Sequence, residues 1–281
     1  MDLHTLNDMA PWEWPESTAR DLLGVLKNGR AAAADRLLAA ELAGDYTVIN
    51  DDIAAALLTI VSNAGDPDDL RGAAAIAFGA ALEGADTFEF DDPDEVPISE
   101  EMFDEIQTTL RALFDDAGVP KLVRRRILEA SVREPQEWHA GAIRIAWSSG
   151  DDEWKLTAVF GMAHIAGFAA EITEALESQD PDTFYEAIGA AGVWEVDAAW
   201  PHVVAILEND ESDKELLLTA FEAAATIRPG EAADLLMDYL HSTDEDVAEA
   251  ARSALMLANG LLDPDGDEDD DLEEKEDDPP R

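Results

Sequence analysis

A chain of 281 residues, 47% of them apolar, can bury a sizeable core as one domain or as a repeat array. Its 65 acidic residues face 13 Arg and 5 Lys, a formal charge of −47, and that field has the wrong sign for a nucleic-acid binder, which needs a clustered basic footprint. Cysteine is absent, which excludes disulfides, thiolate nucleophiles and Cys-type zinc sites. No run of 18 apolar residues predicts a transmembrane helix, and the first segment, MDLHTLNDMAPWEWPE, lacks the basic and apolar regions of a signal peptide. A cytoplasmic location with no membrane partner is the expectation.

Helical periodicity runs through the chain, with no alternating strand pattern of useful length. Pro15 opens a first helix, PESTARDLLGVLK, with proline at its tolerated first position, and a second covers about Arg30–Ala43. Asn50–Ser62 and Pro67–Leu82 form the next pair, with Asn50 a cap for the first and Asp66 for the second. An interruption at Gly84–Ile98 holds six acidic residues, Phe88, Phe90 and two prolines, and reads as a long acidic loop inserted at 84–98. Ser99–Asp115 pairs with Val119–Arg133, Pro135–Ser148 with Asp152–Ile165, and Phe168–Ser178 with Pro181–Gly192. Ala198–Leu207 pairs with Ser212–Ile227, and Glu231–His241 with Asp244–Asn259. Asp263 to Arg281 carries twelve acids and two bases; it cannot offset its ordering entropy by burial, so 262–281 is expected to be a disordered acidic tail.

The second helix of each pair keeps a register. Its first buried apolar residue is expected at Leu70, Val123, Trp154, Phe184, Leu216 and Val247, at spacings of 53, 31, 30, 32 and 31. The long spacing falls at the acidic loop. Small residues follow one and two turns later in most copies, as Ala74 and Ala77, Ala158 and Gly161, Ala220 and Ala223, or Ala251 and Ala254. Such positions let neighbouring helices approach closely, and a single pair cannot bury its apolar faces alone. The sequence therefore predicts an all-α fold, an α-solenoid superhelix of about seven antiparallel helix pairs spanning 1–261.

The stretches DPDDLRGAAAIAFG (Asp66–Gly79) and TDEDVAEAARSALMLA (Thr243–Ala258) resemble HEAT repeats, specifically the short class named after phycobiliprotein lyases. The likeness covers about Pro15–Asn259. That family often places a basic residue just after the first apolar position; Arg71, Arg124 and Lys155 fit the habit, while Tyr185, Leu217 and Ala248 depart from it. The first half of the array is thus expected to present a different surface from the second. The composition, rich in Asp and poor in Lys, resembles that of haloarchaeal proteins adapted to molar salt, where a Debye length of roughly 3 Å screens self-repulsion. Many acids then serve solvation rather than a site.

Catalytic constellations are thin. There is no Gly-rich phosphate loop, G-x-S-x-G or Walker motif, and carboxylates are too numerous to pair as acid and base. Of the five histidines, none precedes Glu, so the His-Glu dyads of HEAT-like iron hydroxylases are missing. His139 and His164 lie on the two helices of one repeat and could meet, a thin metal site at best. Asp263, Asp265, Asp267 and Glu274 superficially resemble a calcium loop whose glycine is misplaced. No metal or cofactor is expected, and the chain reads as a non-enzyme.

The one strongly basic segment is Val119–Pro135, VPKLVRRRILEASVREP. On a helical wheel with Val123, Ile127 and Ala130 facing the core, Lys121 and Arg125 point away from it. Arg126 and Arg133 share one flank, and Arg124 takes the other. Two readings stay open. The arginines pair with acids on adjacent repeats or tether the Asp86–Glu95 loop. Alternatively Arg124, Arg125, Arg126, Arg133 and Lys155 anchor an acidic surface on a partner protein, for which bidentate guanidinium contacts are suited. Trp138, Trp147, Trp154, Phe160, Trp194 and Trp200 read mostly as core, with any exposed one an interface marker, and Trp12 and Trp14 as a cap on the end of the array. The expected function is a protein-protein interaction scaffold or adaptor holding another cytoplasmic protein. Repeat proteins of this type in salt-loving archaea include adaptors of taxis signalling. The other reading implied by the resemblance is a lyase- or chaperone-like holder of a tetrapyrrole or other apolar ligand.

Overall fold

The computed structural model describes residues 3–88, 90, 96–209 and 211–260, and all regular structure among them is helical. The expected tail, 262–281, and the centre of the expected loop, 91–95, lie outside the described residues. The chain divides into two compact units, Met1–Ala166 and Gly167–Arg281.

The first unit opens with α1 (Leu3–Asn7), a turn at Pro11–Glu13, and the pair α2 (Thr18–Leu26) and α3 (Ala33–Leu42). The next pair is α4 (Asp51–Ser62) and α5 (Asp68–Ile76), followed by α6 (Gly79–Phe88). Then come α7 (Glu100–Asp115) with α8 (Lys121–Ser131), and α9 (His139–Ser148) with α10 (Asp152–His164). The second unit holds α11 (Ala169–Ala175) with α12 (Pro181–Val193), α13 (Trp200–Leu207) with α14 (Lys214–Ile227), and α15 (Pro229–Leu236) with α16 (Glu245–Ala258). The fold class is an α-solenoid: antiparallel pairs in tandem, as the register of apolar residues required. In each unit the second helices stack on one another, α3 on α5 on α8 on α10 and α12 on α14 on α16.

Helix starts follow their capping chemistry. Asn50 accepts the Ile53 N–H at 3.1 Å, and Ser99 accepts that of Met102 at 3.3 Å. Asp151, Asp180, Asp213 and Asp244 cap α10, α12, α14 and α16 in the same way. Asp66 departs from its expected capping role. Its carboxylate meets the Arg36 guanidinium of α3 at 2.6 Å, which with the Asn63 amide holds it below the usual carboxylate range.

Three further departures follow from packing. The expected helix Pro67–Leu82 breaks at Ala77 and Phe78; the break puts Phe78 wholly in the core, and α6 then runs as far as Phe88, into the expected loop. One face of α6, Ala81, Leu82 and Ala85, is buried, which sustains the helix there. At the N-terminus Trp14 donates its indole N–H to the Leu6 carbonyl at 3.0 Å and so ties down α1, whereas Trp12 is 84% exposed and caps nothing.

Close approach between second-layer elements depends on missing side chains. A Cβ on Gly44 would lie 2.7 Å from the Ala77 Cα, and one on Gly192 would lie 2.9 Å from the Ala223 Cα. Both clashes are with backbone, which cannot step aside cheaply. Gly24, exposed inside α2, has nothing within 4 Å of its would-be Cβ. Gly44→Ala and Gly192→Ala should therefore each cost about 1–3 kcal/mol. Gly24→Ala should add about 0.5–1 kcal/mol through helix propensity. Urea unfolding in molar salt reads all three.

Candidate functional site

The basic segment predicted as a binding surface is α8 with its flanks, and the structure spends its cations inside the first unit. Arg124 follows the habit of Arg71. Each donates its Nε–H to a carbonyl ten residues back, Arg71 to Val61 at 2.9 Å and Arg124 to Phe114 at 2.8 Å. Those carbonyls lie at the ends of α4 and α7, where the helix dipole favours a cation. Arg124 also lies over the Phe114 and Trp154 rings at 5.2 and 5.8 Å. Lys155, at the same register of α10, sits 5.8 Å over the Trp147 ring.

Arg125 overturns the helical-wheel expectation. It is 8% exposed rather than directed to solvent, because α8 is covered by α10 on the side opposite α5. Its Nε–H donates to the Thr157 hydroxyl at 2.8 Å, and Thr157 donates in turn to Glu129 Oε1 at 2.6 Å. Arg126 completes the cluster at 2.6 Å from Glu129 Oε2. Arg133 reaches back to Glu83 of α6 at 2.5 Å and lies over Phe160 at 5.6 Å, so it fastens the helix that leads into the expected loop. Lys121 joins α8 to the start of α10, meeting Asp151 at 2.9 Å and also Glu153.

The aromatic residues after α8 are held the same way. Arg111 stacks on Trp138 at 4.4 Å, and Trp138 packs on Phe114 with centroids 5.0 Å apart. Trp200 is buried in the second unit, while Trp194 is 39% exposed.

His139 is fully buried and takes no ligand position. The Gln136 N–H donates to its Nδ1 at 2.9 Å, which places the ring proton on Nε2, 3.1 Å from Ser131 Oγ. Burial, with the charge of Arg111, pushes this imidazole down to about 4, and burial lowers His164 as well. Among the described residues no three His, Asp or Glu side chains gather as a metal site.

A second surface escaped the reading of the sequence. In the second unit a groove of about 850 Å³ runs across α12, α14 and α16. Gly189, Gly192, Ala223, Ala250 and Ala254 form its floor, Val193 and Leu257 one apolar rim, and Glu195, Glu222, Asp246 and Glu249 its charged edge. Val193 is 58% exposed there. Lys214 answers Asp246 at 2.6 Å from outside the lining. No ion pair reaches Glu195, Glu222 or Glu249 among the described residues, and burial raises the Glu222 carboxyl above its usual range. Short residues at Thr219, Ala250 and Thr226 were the available signal, since they stand where longer side chains fill α8.

No family model matches the chain, and no curated protein matches it in sequence. Similar solved structures include an engineered protein, 19% identical with a TM-score of 0.47, the match covering 74% of this chain and 96% of that one. Human deoxyhypusine hydroxylase in complex with glycerol is 17% identical with a TM-score of 0.39, covering 92% and 88%. A further engineered protein is 18% identical with a TM-score of 0.43, covering 86% and 78%. None of these likenesses bears on the site. The chain is an all-α tandem-repeat protein, and no helix among the described residues is long and apolar enough to cross a membrane.

Two outcomes follow from these placements. Arg125→Ala removes a buried guanidinium from Thr157 and Glu129 and leaves a void between α8 and α10, which should cost about 2–3 kcal/mol, while Lys121→Ala at the exposed seam should leave the unfolding midpoint almost unmoved. For His139 the unfolded imidazole binds a proton near 6.5 and the folded one near 4. Between those values the unfolded state holds more protons, so stability falls as the pH drops through the window, by on the order of 3 kcal/mol in all. Unfolding titrations at stepped pH should show that slope in the parent protein and a flatter one in His139→Gln.

Proposed function

We propose that the chain is a non-enzymatic interaction scaffold that holds another protein on the α12–α14–α16 groove of its second unit. The observation that carries this reading is the contrast between the two basic and acidic surfaces. The cations of α8 are engaged internally by acids, carbonyls and rings, which supports the first of the two readings of that helix. The groove keeps an apolar rim and three carboxylates without an ion-pair partner. Concave surfaces with an apolar centre and a few polar groups are where ligands seat, and solenoids commonly bind along such extended faces. A tetrapyrrole holder has less support, because no aromatic side chain lines the groove and the rings near α8 pack against cations.

Affinity purification of the tagged chain in molar salt should recover a protein in stoichiometric amount. Ala250→Trp, which fills the groove, should abolish recovery without lowering the unfolding midpoint. A coloured ligand recovered in place of a protein would overturn the scaffold reading.

A further inference from the structure

Glu129 on α8 and Glu222 on α14 occupy one place in the repeat, six residues after Val123 and Leu216 respectively. Their surroundings differ in burial and in charge, Glu129 being enclosed and Glu222 open to the groove. Glu129 is 6% exposed and answered by Arg126 at 2.6 Å, whereas Glu222 meets no cation among the described residues. Arg126 and Arg133 stand three and ten residues after Val123; the same positions are Thr219 and Thr226 on α14, and Ala250 and Leu257 on α16. All four of those residues line the groove.

The glycines of the two layers repeat the contrast. A Cβ on Gly72 would touch Arg126 Cγ at 3.4 Å, and one on Gly79 would touch Arg133 Cδ at 3.0 Å. In the second unit a Cβ on Gly189 would meet only Thr219 Cγ2, at 3.6 Å. Long cationic side chains thus cover the small residues of the first unit and neutralise its acids. The second unit has small residues of its own on α12 and the carboxylate at the same place, with the covering side chains replaced by short ones.

We propose that this groove receives an amphipathic helical segment of a partner protein, whose arginine or lysine pairs with Glu222 as Arg126 pairs with Glu129, and whose apolar face rests on Val193, Ala254 and Leu257. The inference rests on the scaffold reading and specifies its partner. Charge complementarity decides the chemistry: every charged residue lining the groove is acidic, so an acidic segment is repelled and a cationic one gains ion pairs in a partly desolvated cleft. A helix decides the form, because an amphipathic helix lays an apolar stripe and a flanking cation along such a groove together.

The test uses the full chain in molar KCl and a fluorescent Leu/Arg helical peptide about five turns long. Its control is the same composition with the apolar residues spread around the helix. Saturable 1:1 binding of the amphipathic peptide is expected by anisotropy. Glu222→Gln should weaken it about two- to fivefold, Ala250→Trp should abolish it, and Glu174→Gln, an exposed acid on α11 outside the groove, should leave it unchanged. Circular dichroism verifies that each variant is folded. Equal losses in Glu222→Gln and Glu174→Gln, or equal binding of the control peptide, would reduce the effect to general charge and overturn the proposal. Spermine binding that is lost in Glu222→Gln, with no peptide binding, would assign the groove to a small polycation. A native partner that is recovered and ignores Glu222→Lys would refute the inference alone, leaving the scaffold reading in place; failure to recover any partner would count against the scaffold itself.

Discussion

Everything in this molecule depends on how near its second helices can come to one another. Gly44 against Ala77, and Gly192 against Ala223, bring backbones together with no room for a methyl group. Gly161 is nearly as tight, its would-be Cβ 3.1 Å from Ile143. Packing at that distance buries apolar area without large side chains, which suits a chain whose seams are built from alanine. It also decides where long side chains can go. Once α5, α8 and α10 are stacked, a side chain leaving α8 meets a neighbouring helix on two sides, and open space remains only along the exposed face.

The scarce cations are placed by that geometry. Arg36 to Asp66, Lys121 to Asp151 and Lys214 to Asp244 repeat at an interval of 30 residues, each joining one second helix to the start of the next. At Asp151 and Asp244 the acid is also the N-cap, so one carboxylate satisfies backbone donors and fixes the position of the preceding repeat. The exposed pairs, Lys121–Asp151 and Lys214–Asp244, contribute little stability in salt, and their value is in register, whereas Arg36–Asp66 is largely enclosed. The buried Arg125–Thr157–Glu129 cluster is of another kind. It is desolvated, so breaking it leaves a charge with no water to turn to.

The repeat was legible in the sequence because periodicity reports burial directly. Leu70, Val123 and Val247 are buried at their intervals and Trp154, Phe184 and Leu216 half-buried, and most second helices begin within a residue or two of the expected place. The fate of Arg125 was not legible, because a helical wheel knows only one buried face and a helix inside a stacked layer has neighbours on its sides too. The break at Ala77 and the extension of α6 escaped for a related reason: the neighbours packed there, Gly44 against Ala77 and Arg133 on Glu83, are distant in sequence. Of the five basic residues expected at an interface, four are tied to Phe114, Glu129, Thr157, Glu83 and the rings around them, and Lys155 lies over Trp147.

That outcome redirects attention from where charge is concentrated to where it is unanswered. In a chain of charge −47 the presence of an acid says nothing by itself. What distinguishes Glu222 is that the repeat supplies its own comparison: the same position on α8 carries a glutamate with a guanidinium beside it, and the position that would carry the guanidinium on α14 is Thr219. A carboxylate held in a cleft without a counter-charge is destabilised relative to one in water. That penalty is relieved whenever a cation enters. The first unit relieves it from within; the second leaves it standing along the α12–α14–α16 groove. The difference between a helix that closes an array and one that is open to a partner can therefore lie in two or three side chains three and seven residues apart.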